Sequence, residues 1–156
     1  MTRLMKRAAV VFVIVFAAAQ LVRSEHSNPA IDPSHTLRAQ LGSDSGLVTV
    51  VDRACRDCHS NETVWPTSWY TQIAPLSWAI ASGVAEGRRV LNLSEWATYP
   101  PAQQQMLLVA SCQTATDATM PGSAWTLLHP EARLSAHDIE TICAAAPPDH
   151  RDEAVP

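Results

Sequence analysis

Residues 55–59 read Cys-Arg-Asp-Cys-His, and no other feature limits the possible structures of this chain as strongly. The spacing Cys-x-x-Cys-His is the attachment signature of a covalently held c-type haem. Cys55 and Cys58 can each bond to one of the two vinyl groups at the porphyrin edge, and His59 can then give an imidazole nitrogen to the iron. The motif therefore predicts one haem c with His59 as an axial ligand.

Two other kinds of site use closely spaced cysteines, and each needs a feature that is missing from the sequence. A thioredoxin-like Cys-x-x-Cys is expected near a βαβ pattern, but no strand-like alternation surrounds residues 51–61. A zinc site needs a second close pair of ligands, whereas Cys112 and Cys143 are far apart in the sequence. Covalent haem is the favoured interpretation, and a structural disulfide or metal site is the alternative.

The N-terminal 24 residues have the composition of an export segment. Residues 1–7 include three basic side chains, and residues 8–22 carry no charge. The three alanines at 17–19 offer a small-x-small cleavage pattern, which favours a removable signal peptide. An uncleaved membrane anchor whose basic end stays in the cytoplasm fits the same residues. Either outcome predicts a periplasmic or other extracytoplasmic location.

The rest of the chain is acidic, and this charge bears on its partners. Beyond residue 24 there are seven arginines, no lysine and fifteen acidic residues, a formal charge of −8. Nucleic acid is not expected as a partner, because its phosphates require a basic surface. The expected partners are redox proteins of undefined identity, together with the membrane if the N-terminal segment stays attached.

Apolar periodicity predicts helices after an irregular arm. Residues 25–45 have no apolar period and predict a linker arm in which His26 and His35 are solvated. A helical stripe begins at Leu47 and runs into the Cys-x-x-Cys-His motif, so the motif is expected to end an amphipathic helix.

Three further helices are predicted. Pro75 opens one that is expected to stop at Gly87, and Pro100-Pro101 opens another that fades by Thr116. Within the latter, residues 106–110 are apolar on all sides and are therefore expected to be buried. Residues 135–138 read as a capping box that opens the last helix, which ends before the prolines at 147 and 148.

Met120 is the candidate for the second axial ligand. It lies in a loop before Pro121, whereas Met106 lies in the apolar run, where a methionine more often fills the core. His129 is the alternative ligand, although hydrogen bonding to the backbone of its turn is favoured for it. A carbonyl of Pro66 or Pro75 is a candidate partner for the second ring nitrogen of His59.

Cys112 and Cys143 are expected to form a disulfide. Each follows an apolar residue by four positions in a predicted helix, so each is expected on the buried face of that helix. An exported protein whose other thiols hold haem favours oxidation of the remaining pair. Two separate buried thiols are the alternative, and the bridge requires Cα atoms within about 7 Å.

Seven stretches of the sequence carry a family resemblance and together cover most of residues 53–135: Cys55–Thr63, Trp65-Pro66, Ile73–Trp78, Glu86–Arg88, Leu91–Trp96, Met120-Pro121 and Leu128–Ser135. The run Leu-His-Pro-Glu-Ala-Arg-Leu-Ser at 128–135 is the most specific of them. They resemble the small exported haem-binding-domain proteins of bacteria, with a similarity of plan to single-haem class I cytochromes c. The resemblance implies a mainly helical domain around one haem, held near the membrane.

We therefore expect an all-α, cytochrome c-like domain whose first and last helices pack together. The expected divisions are a signal peptide or anchor at 1–24, a linker arm at 25–45, the haem domain at 46–146 and a polar tail at 147–156. Single-electron transfer is the expected function, because haem iron with His and Met as its two axial ligands rearranges little between its two oxidation states. A ligand sensor or a peroxidase-like enzyme, with His129 as an acid-base group, is the alternative.

Overall fold

The computed structural model of the chain describes residues 2–65 and 69–147. These residues form helices and connecting turns, and no strand occurs within the two ranges. The predicted all-α fold class is therefore confirmed. Eight α-helices are described: α1 (Arg3–Ala19), α2 (Leu37–Leu41), α3 (Gly46–Ala54), α4 (Arg56–His59), α5 (Leu76–Val90), α6 (Pro101–Thr116), α7 (Ser123–Leu128) and α8 (Ala136–Ala144). Short 3-10 helices occur at Pro33–His35, Trp69–Gln72, Leu93–Thr98 and Pro130–Ala132.

Helix α1 contains the apolar N-terminal segment. It has 17 residues, none of them buried, and its large apolar side chains are exposed along most of its length. None of the helices in the described part of the chain is both long and apolar enough to cross a membrane. The last turn is tied to the rest of the protein, because the Gln20 side chain donates to the Ala74 carbonyl at 3.3 Å and accepts from the Ala74 amide at 3.0 Å.

The main core lies between α3, α6 and α8. Leu47 and Val50 of α3 are buried in one cluster with Ala115 of α6 and Ile142 of α8. The predicted packing of the first helix of the haem domain against the last is therefore confirmed. Burial of such aliphatic side chains stabilises a fold by about 1.5–3 kcal/mol each.

A disulfide between Cys112 and Cys143 joins α6 to α8 within this core. The two Cα atoms are 4.7 Å apart, inside the range that a disulfide can span. The predicted bridge is thus confirmed. The capping box at the start of α8 is confirmed as well, with Ser135 and Asp138 each accepting from the backbone amide of the other.

Two details of the predicted helices are wrong. Gly87 does not end α5, which continues to Val90. The apolar run in α6 is only partly buried, since Met106 is 65% exposed and Ala110 is also exposed, while the three residues between them are partly buried. Leu108 and Val109 pack against the core beside the buried Cys112 and Ala115, whereas Met106 and Ala110 lie on the solvent side of α6.

The segment 25–45 packs against the domain. Leu37 is 4% exposed and forms a second buried cluster with Leu93 and Trp96. His26 is partly buried, because its ring stacks on that of Trp65 at a centroid distance of 4.7 Å. The expectation that His26 is solvated is therefore wrong, and His35 is partly buried too.

Candidate functional site

The Cys-x-x-Cys-His motif forms one tight turn at the end of α3. The backbone leaves the helical conformation at Cys55, with φ −120°, and resumes it in α4. The Cys55 carbonyl accepts from the amide of Cys58 at 3.2 Å and from that of His59 at 2.9 Å. Both cysteines of the motif are unbridged and partly buried. This segment therefore carries two unbridged thiols, three positions apart, and the imidazole of the next residue, His59.

Both thiols are held in the protonated form. Burial raises the pKa of Cys55 to about 11, with a smaller contribution from the nearby Cys58. Burial also raises the pKa of Cys58, and the charge of Asp57 adds to the effect. A reactive redox dithiol needs a thiol whose pKa is lowered into or below the neutral range. Here the pKa of each thiol is raised, so the thioredoxin-like alternative loses support.

His59 is oriented by a backbone carbonyl. Its Nδ1 donates to the Leu91 carbonyl oxygen at 3.2 Å, so the lone pair of the neutral ring lies on Nε2. Burial lowers the pKa of His59, which favours this neutral form. The predicted partner, a carbonyl of Pro66 or Pro75, is replaced by that of Leu91, and Pro66 lies outside the described residues.

Gly87 allows helix α5 to lie directly against the motif. A Cβ atom placed on Gly87 would come within 2.5 Å of the Cys58 carbonyl oxygen and 3.1 Å of its carbonyl carbon. These are backbone atoms, which cannot rotate away as a flexible side chain could. A glycine inside the helix thus brings Leu91, one turn further on, close enough to hold His59.

Buried polar groups hold the loop that follows the motif. Asn61 is 2% exposed, and its backbone amide donates to Ser94 Oγ at 3.0 Å. Its side-chain oxygen accepts from Asn92 Nδ2 at 2.9 Å, and Asn92 in turn accepts from the Ser94 amide at 3.0 Å. This network fixes the segment around Leu91, and through it the carbonyl that orients His59.

Arg88 connects the same loop to the N-terminal arm. Its guanidinium donates to the Ser60 carbonyl at 2.7 Å, to Thr63 Oγ1 at 2.7 Å and to Asn28 Oδ1 at 2.6 Å. The Arg88 guanidinium carbon also lies 5.8 Å from the ring centroid of Trp65. A planar cation with several donors suits this position, because it can hydrogen-bond to three groups in two separate segments at once.

Met120, the predicted second ligand, lies between α6 and α7 and is 52% exposed. Its backbone amide donates to the Thr114 carbonyl at 3.2 Å, which ties the segment to the end of α6. Met106 is even more exposed, at 65%, so the argument that excluded it as a core side chain is wrong. Two accessible methionines therefore follow the motif, Met106 within α6 and Met120 after its end.

His129, the alternative ligand, is engaged through both ring nitrogens. Its Nδ1 donates to Glu131 Oε1 at 3.0 Å, and its Nε2 accepts from the Tyr70 hydroxyl at 2.5 Å. The ring also stacks on Trp125 at a centroid distance of 3.8 Å. The favoured bond from His129 to the backbone of its turn is replaced by these side-chain partners. His129 joins α7 to the aromatic segment after the motif.

The residues at the motif fit a haem group. Two protonated, unbridged thiols are the reactants that thioether formation requires, and the oriented His59 offers the lone pair of Nε2 as an iron ligand. Within the described ranges, no three His, Cys, Asp or Glu side chains are grouped as a metal site would require. The alternative of a zinc site therefore gains no support there.

Sequence reasoning missed the residues that support His59. Gly87, Arg88 and Leu91 lie in stretches that the family resemblance marks, but the sequence gives no signal of what they contact. Their roles arise from contacts between segments about 30 positions apart in the chain. The resemblance was thus the one signal that could have pointed to them.

A family model described as a haem-binding domain matches residues 14–146. That match spans the motif, the loop network and all of α2–α8. No curated protein and no solved structure shows a significant match to the chain.

Proposed function

The chain belongs to the haem-binding-domain family, and within it we propose a single-electron carrier whose one haem is bound covalently by Cys55 and Cys58. His59 and Met120 are the proposed axial ligands. When bound, haem iron supplies a centre that accepts and gives up one electron. The chain's own residues then set the position and the surroundings of that centre.

The observation that carries this proposal is the hydrogen bond from His59 Nδ1 to the Leu91 carbonyl oxygen. A metal-ligating histidine usually donates its other ring N–H to a carbonyl or carboxylate, which fixes its orientation and raises its basicity. His59 has this arrangement, with Nε2 left for a metal and with the two thiols of the same turn beside it.

Two observations support Met120 as the distal ligand. Its side chain is not part of either buried cluster and is half-exposed, so moving it onto a metal would leave the core intact. The competing His129 would have to give up its bond to Tyr70 or to Glu131 before it could bind iron. Met106 lies within the regular backbone of α6, which restricts its reach.

The test compares Met120→Ala with the matched control Met106→Ala. We expect Met120→Ala to lose the ferric spectral features of iron ligated by a methionine sulfur and to bind cyanide. Met106→Ala should keep the wild-type spectrum. Loss of those features in Met106→Ala alone would assign the ligand to Met106. An unchanged spectrum in both variants would reject methionine ligation.

Binding of cyanide or carbon monoxide by the wild-type protein separates the carrier from the alternative functions. A sensor or a peroxidase-like enzyme needs an exchangeable distal position, so wild-type protein would bind cyanide or carbon monoxide rapidly. A carrier closed by Met120 is expected to bind neither at a comparable rate. Rapid binding by the wild type would therefore replace the carrier with one of these alternatives.

Covalent attachment has its own readout, the mass of the purified protein. The proposal expects one haem added to the polypeptide mass, and it expects Cys55→Ser with Cys58→Ser to remove it. A double variant that retains haem through His59 alone would show non-covalent binding. A wild-type mass without haem would reject c-type attachment.

We also propose export, with α1 as a signal peptide or membrane anchor, followed by the arm at 25–45, the haem domain at 46–146 and a polar tail at 147–156. The exposed apolar side chains of α1 and its basic start support this division. The partners would be redox proteins outside the cytoplasm, and the membrane if α1 is retained. The N-terminal residue of the mature protein distinguishes cleavage from anchoring.

A further inference from the structure

Tyr70, His129 and Glu131 form a row of hydrogen-bonded side chains. The Tyr70 hydroxyl donates to His129 Nε2 at 2.5 Å, and His129 Nδ1 donates to Glu131 Oε1 at 3.0 Å. Tyr70 is 8% exposed, whereas the Glu131 side chain is 61% exposed. The row therefore connects a buried phenol to the solvent through a single imidazole.

The cavity next to this row is too small for an organic substrate. Its volume is about 40 Å³, and Asp57 of the motif lines it together with Tyr70 and His129. Small-molecule sites usually have volumes of about 300–1,000 Å³, whereas a cavity of this size holds about one water molecule. Space thus excludes a reaction between the Tyr70 hydroxyl and an organic substrate. An electron, in contrast, needs no opening to reach or leave a buried ring.

An exposed tryptophan gives Tyr70 a ring contact at the protein surface. The ring of Trp69 meets that of Tyr70 edge-on, at a centroid distance of 6.0 Å, and Trp69 is 76% exposed. On the other side of the row, the ring of His129 stacks on that of Trp125 at 3.8 Å. An electron acceptor in solution can therefore approach to within one aromatic ring of the buried phenol.

The imidazole provides a place for the phenol proton. Removal of one electron from a tyrosine makes its hydroxyl strongly acidic, so the oxidation is favourable only if the proton can leave as well. His129 Nε2 lies within hydrogen-bond reach of that proton, which is the geometry required of a base. The Glu131 carboxylate, at the other ring nitrogen, stabilises the imidazolium that forms when the base accepts the proton.

Tyr99 is the other tyrosine of the chain, and it lacks such a base. Its ring also meets a tryptophan edge-on, that of Trp96, at a centroid distance of 6.1 Å. Its hydroxyl oxygen accepts from the Asn92 backbone amide at 2.8 Å, and it forms no hydrogen bond to an imidazole within residues 2–65 and 69–147. The two tyrosines thus share an aromatic neighbour and differ in whether a base faces the hydroxyl.

We propose that Tyr70 is a one-electron redox site that uses His129 as its proton acceptor. One electron passes from the Tyr70 ring to a one-electron oxidant such as a ruthenium(III) polypyridyl complex. The O–H bond breaks at the same time, and its proton forms a bond to His129 Nε2. The products are a neutral tyrosyl radical, a protonated His129 and the oxidant reduced by one electron. The site uses neither His59 nor Met120 and does not depend on the electron-carrier function.

The experiment oxidises the full-length ferric holoprotein with photogenerated tris(bipyridine)ruthenium(III) and records radicals in frozen samples by electron paramagnetic resonance. Tyr99→Phe leaves Tyr70 as the one tyrosine, so a tyrosyl signal in that variant arises from Tyr70. We expect Tyr99→Phe to keep the wild-type tyrosyl signal and Tyr70→Phe to lose most of it. A Tyr99→Phe variant without a tyrosyl signal, or equal signals in the two variants, would overturn the proposal.

His129→Phe, made in the Tyr99→Phe background, tests the proton acceptor. It keeps an aromatic ring beside Trp125 but removes the base, so it should lower the yield of the Tyr70 radical by about tenfold or more. His137→Phe is the matched control, because the His137 side chain is 88% exposed on α8, and it should leave the yield unchanged. A merely structural role of His129 would leave the radical yield unchanged in a folded His129→Phe variant, and that result would overturn the proposal.

A solvent isotope effect tests the coupled step without any change at His129. Because the phenol proton moves together with the electron, the Tyr70 radical of Tyr99→Phe should form more slowly in deuterium oxide than in water. Rapid freezing at increasing times after the light pulse gives the two rates. Equal rates in the two solvents would show that proton transfer is not part of the oxidation and would overturn the proposal.

Discussion

The core between α3, α6 and α8 and the surroundings of the Cys-x-x-Cys-His turn are stabilised in different ways. The helical core is held by aliphatic packing and one disulfide. The turn is held by the close approach of Gly87 to the Cys58 carbonyl, by buried polar side chains and by Arg88. These contacts together connect four segments: the turn with its following loop, α5, the segment around Ser94 and the arm. Apolar packing tolerates exchange of similar side chains, whereas a hydrogen-bond network depends on each donor and acceptor.

This difference has a consequence for the stability of each region. In the core, a lost methyl group or bridge lowers the free energy of unfolding but leaves the remaining contacts in place. Around the turn, removal of one partner leaves another buried polar group unsatisfied. Substitutions there are expected to disturb the orientation of His59 as well as stability.

The largest effect is expected when the disulfide is removed. Cys112 and Cys143 are 31 positions apart, and opening a loop of that size should lower the free energy of unfolding by about 3–4 kcal/mol. Urea unfolding of the Cys112→Ser, Cys143→Ser double variant gives this value. The haem spectrum is the control, since it should not change. A loss below about 1 kcal/mol would contradict this explanation by loop-closure entropy.

The second-largest loss of stability is expected at the contact between α5 and the Cys-x-x-Cys-His turn. Gly87→Ala should lower the free energy of unfolding by about 2 kcal/mol, because its Cβ would meet the Cys58 carbonyl, and it should also alter the haem spectrum. Gly83→Ala is the matched control in the same helix, where a Cβ meets no atom within 4 Å. That variant should be neutral or more stable, by up to about 1 kcal/mol. Equal behaviour of the two variants would show that the close approach is unimportant.

Arg88 tests the network itself. Arg88→Lys keeps the charge but cannot reach Ser60, Thr63 and Asn28 together, so we expect a loss of about 1.5 kcal/mol. Hydrogen exchange should report faster opening of the arm at 25–30. Arg89→Lys provides the control, because its exposed pair with Glu86 contributes little. Unchanged exchange in the arm of Arg88→Lys would separate Arg88 from the arm's stability.

The smallest effect is a pH dependence at the start of α8. Hydrogen bonds from the Ser135 backbone, with help from Arg53, lower the pKa of Asp138 to about 2. Because the folded pKa lies below the ordinary value of 3.8, this stabilisation is present above about pH 4 and is lost as the pH falls toward 2. The carboxylate is partly exposed, so we expect a loss of about 1 kcal/mol.

Asp138→Asn is the variant that checks this assignment. It should show a smaller loss of stability than the wild type between pH 4 and pH 2 in thermal unfolding. The effect belongs to the helical core and should leave the haem spectrum unchanged. A wild-type pH profile in Asp138→Asn would assign the acid sensitivity to other carboxylates.

The helical core was largely predictable from the sequence, since period and capping are local properties. Leu47, Val50 and Ile142 could be placed on inner faces by spacing, and Ser135 with Asp138 marked the start of a helix. The partner of each cysteine was also predictable, because only two remained outside the motif.

The surroundings of the turn were less predictable, because their contacts join distant segments. Gly87 was expected to end a helix, since glycine often has that role, but here tertiary packing uses its lack of a side chain. Met106 was expected to be buried because its neighbours are apolar, but which face of α6 meets the core is decided by α3 and α8. The carbonyl that orients His59 lies in a stretch that the family resemblance marks, but no local pattern in the sequence indicates its contact with His59.

The hydrogen bonds that Arg88 and Trp65 donate to the arm also determine how short an independently folding fragment can be. Asn28 accepts from both side chains, and Leu37 completes a buried cluster. A fragment that begins at residue 46 would lose these partners, leave the Trp65 indole without its acceptor and expose Trp96. Fragments for expression should therefore begin before His26, even though the Cys-x-x-Cys-His motif itself begins 29 residues further along.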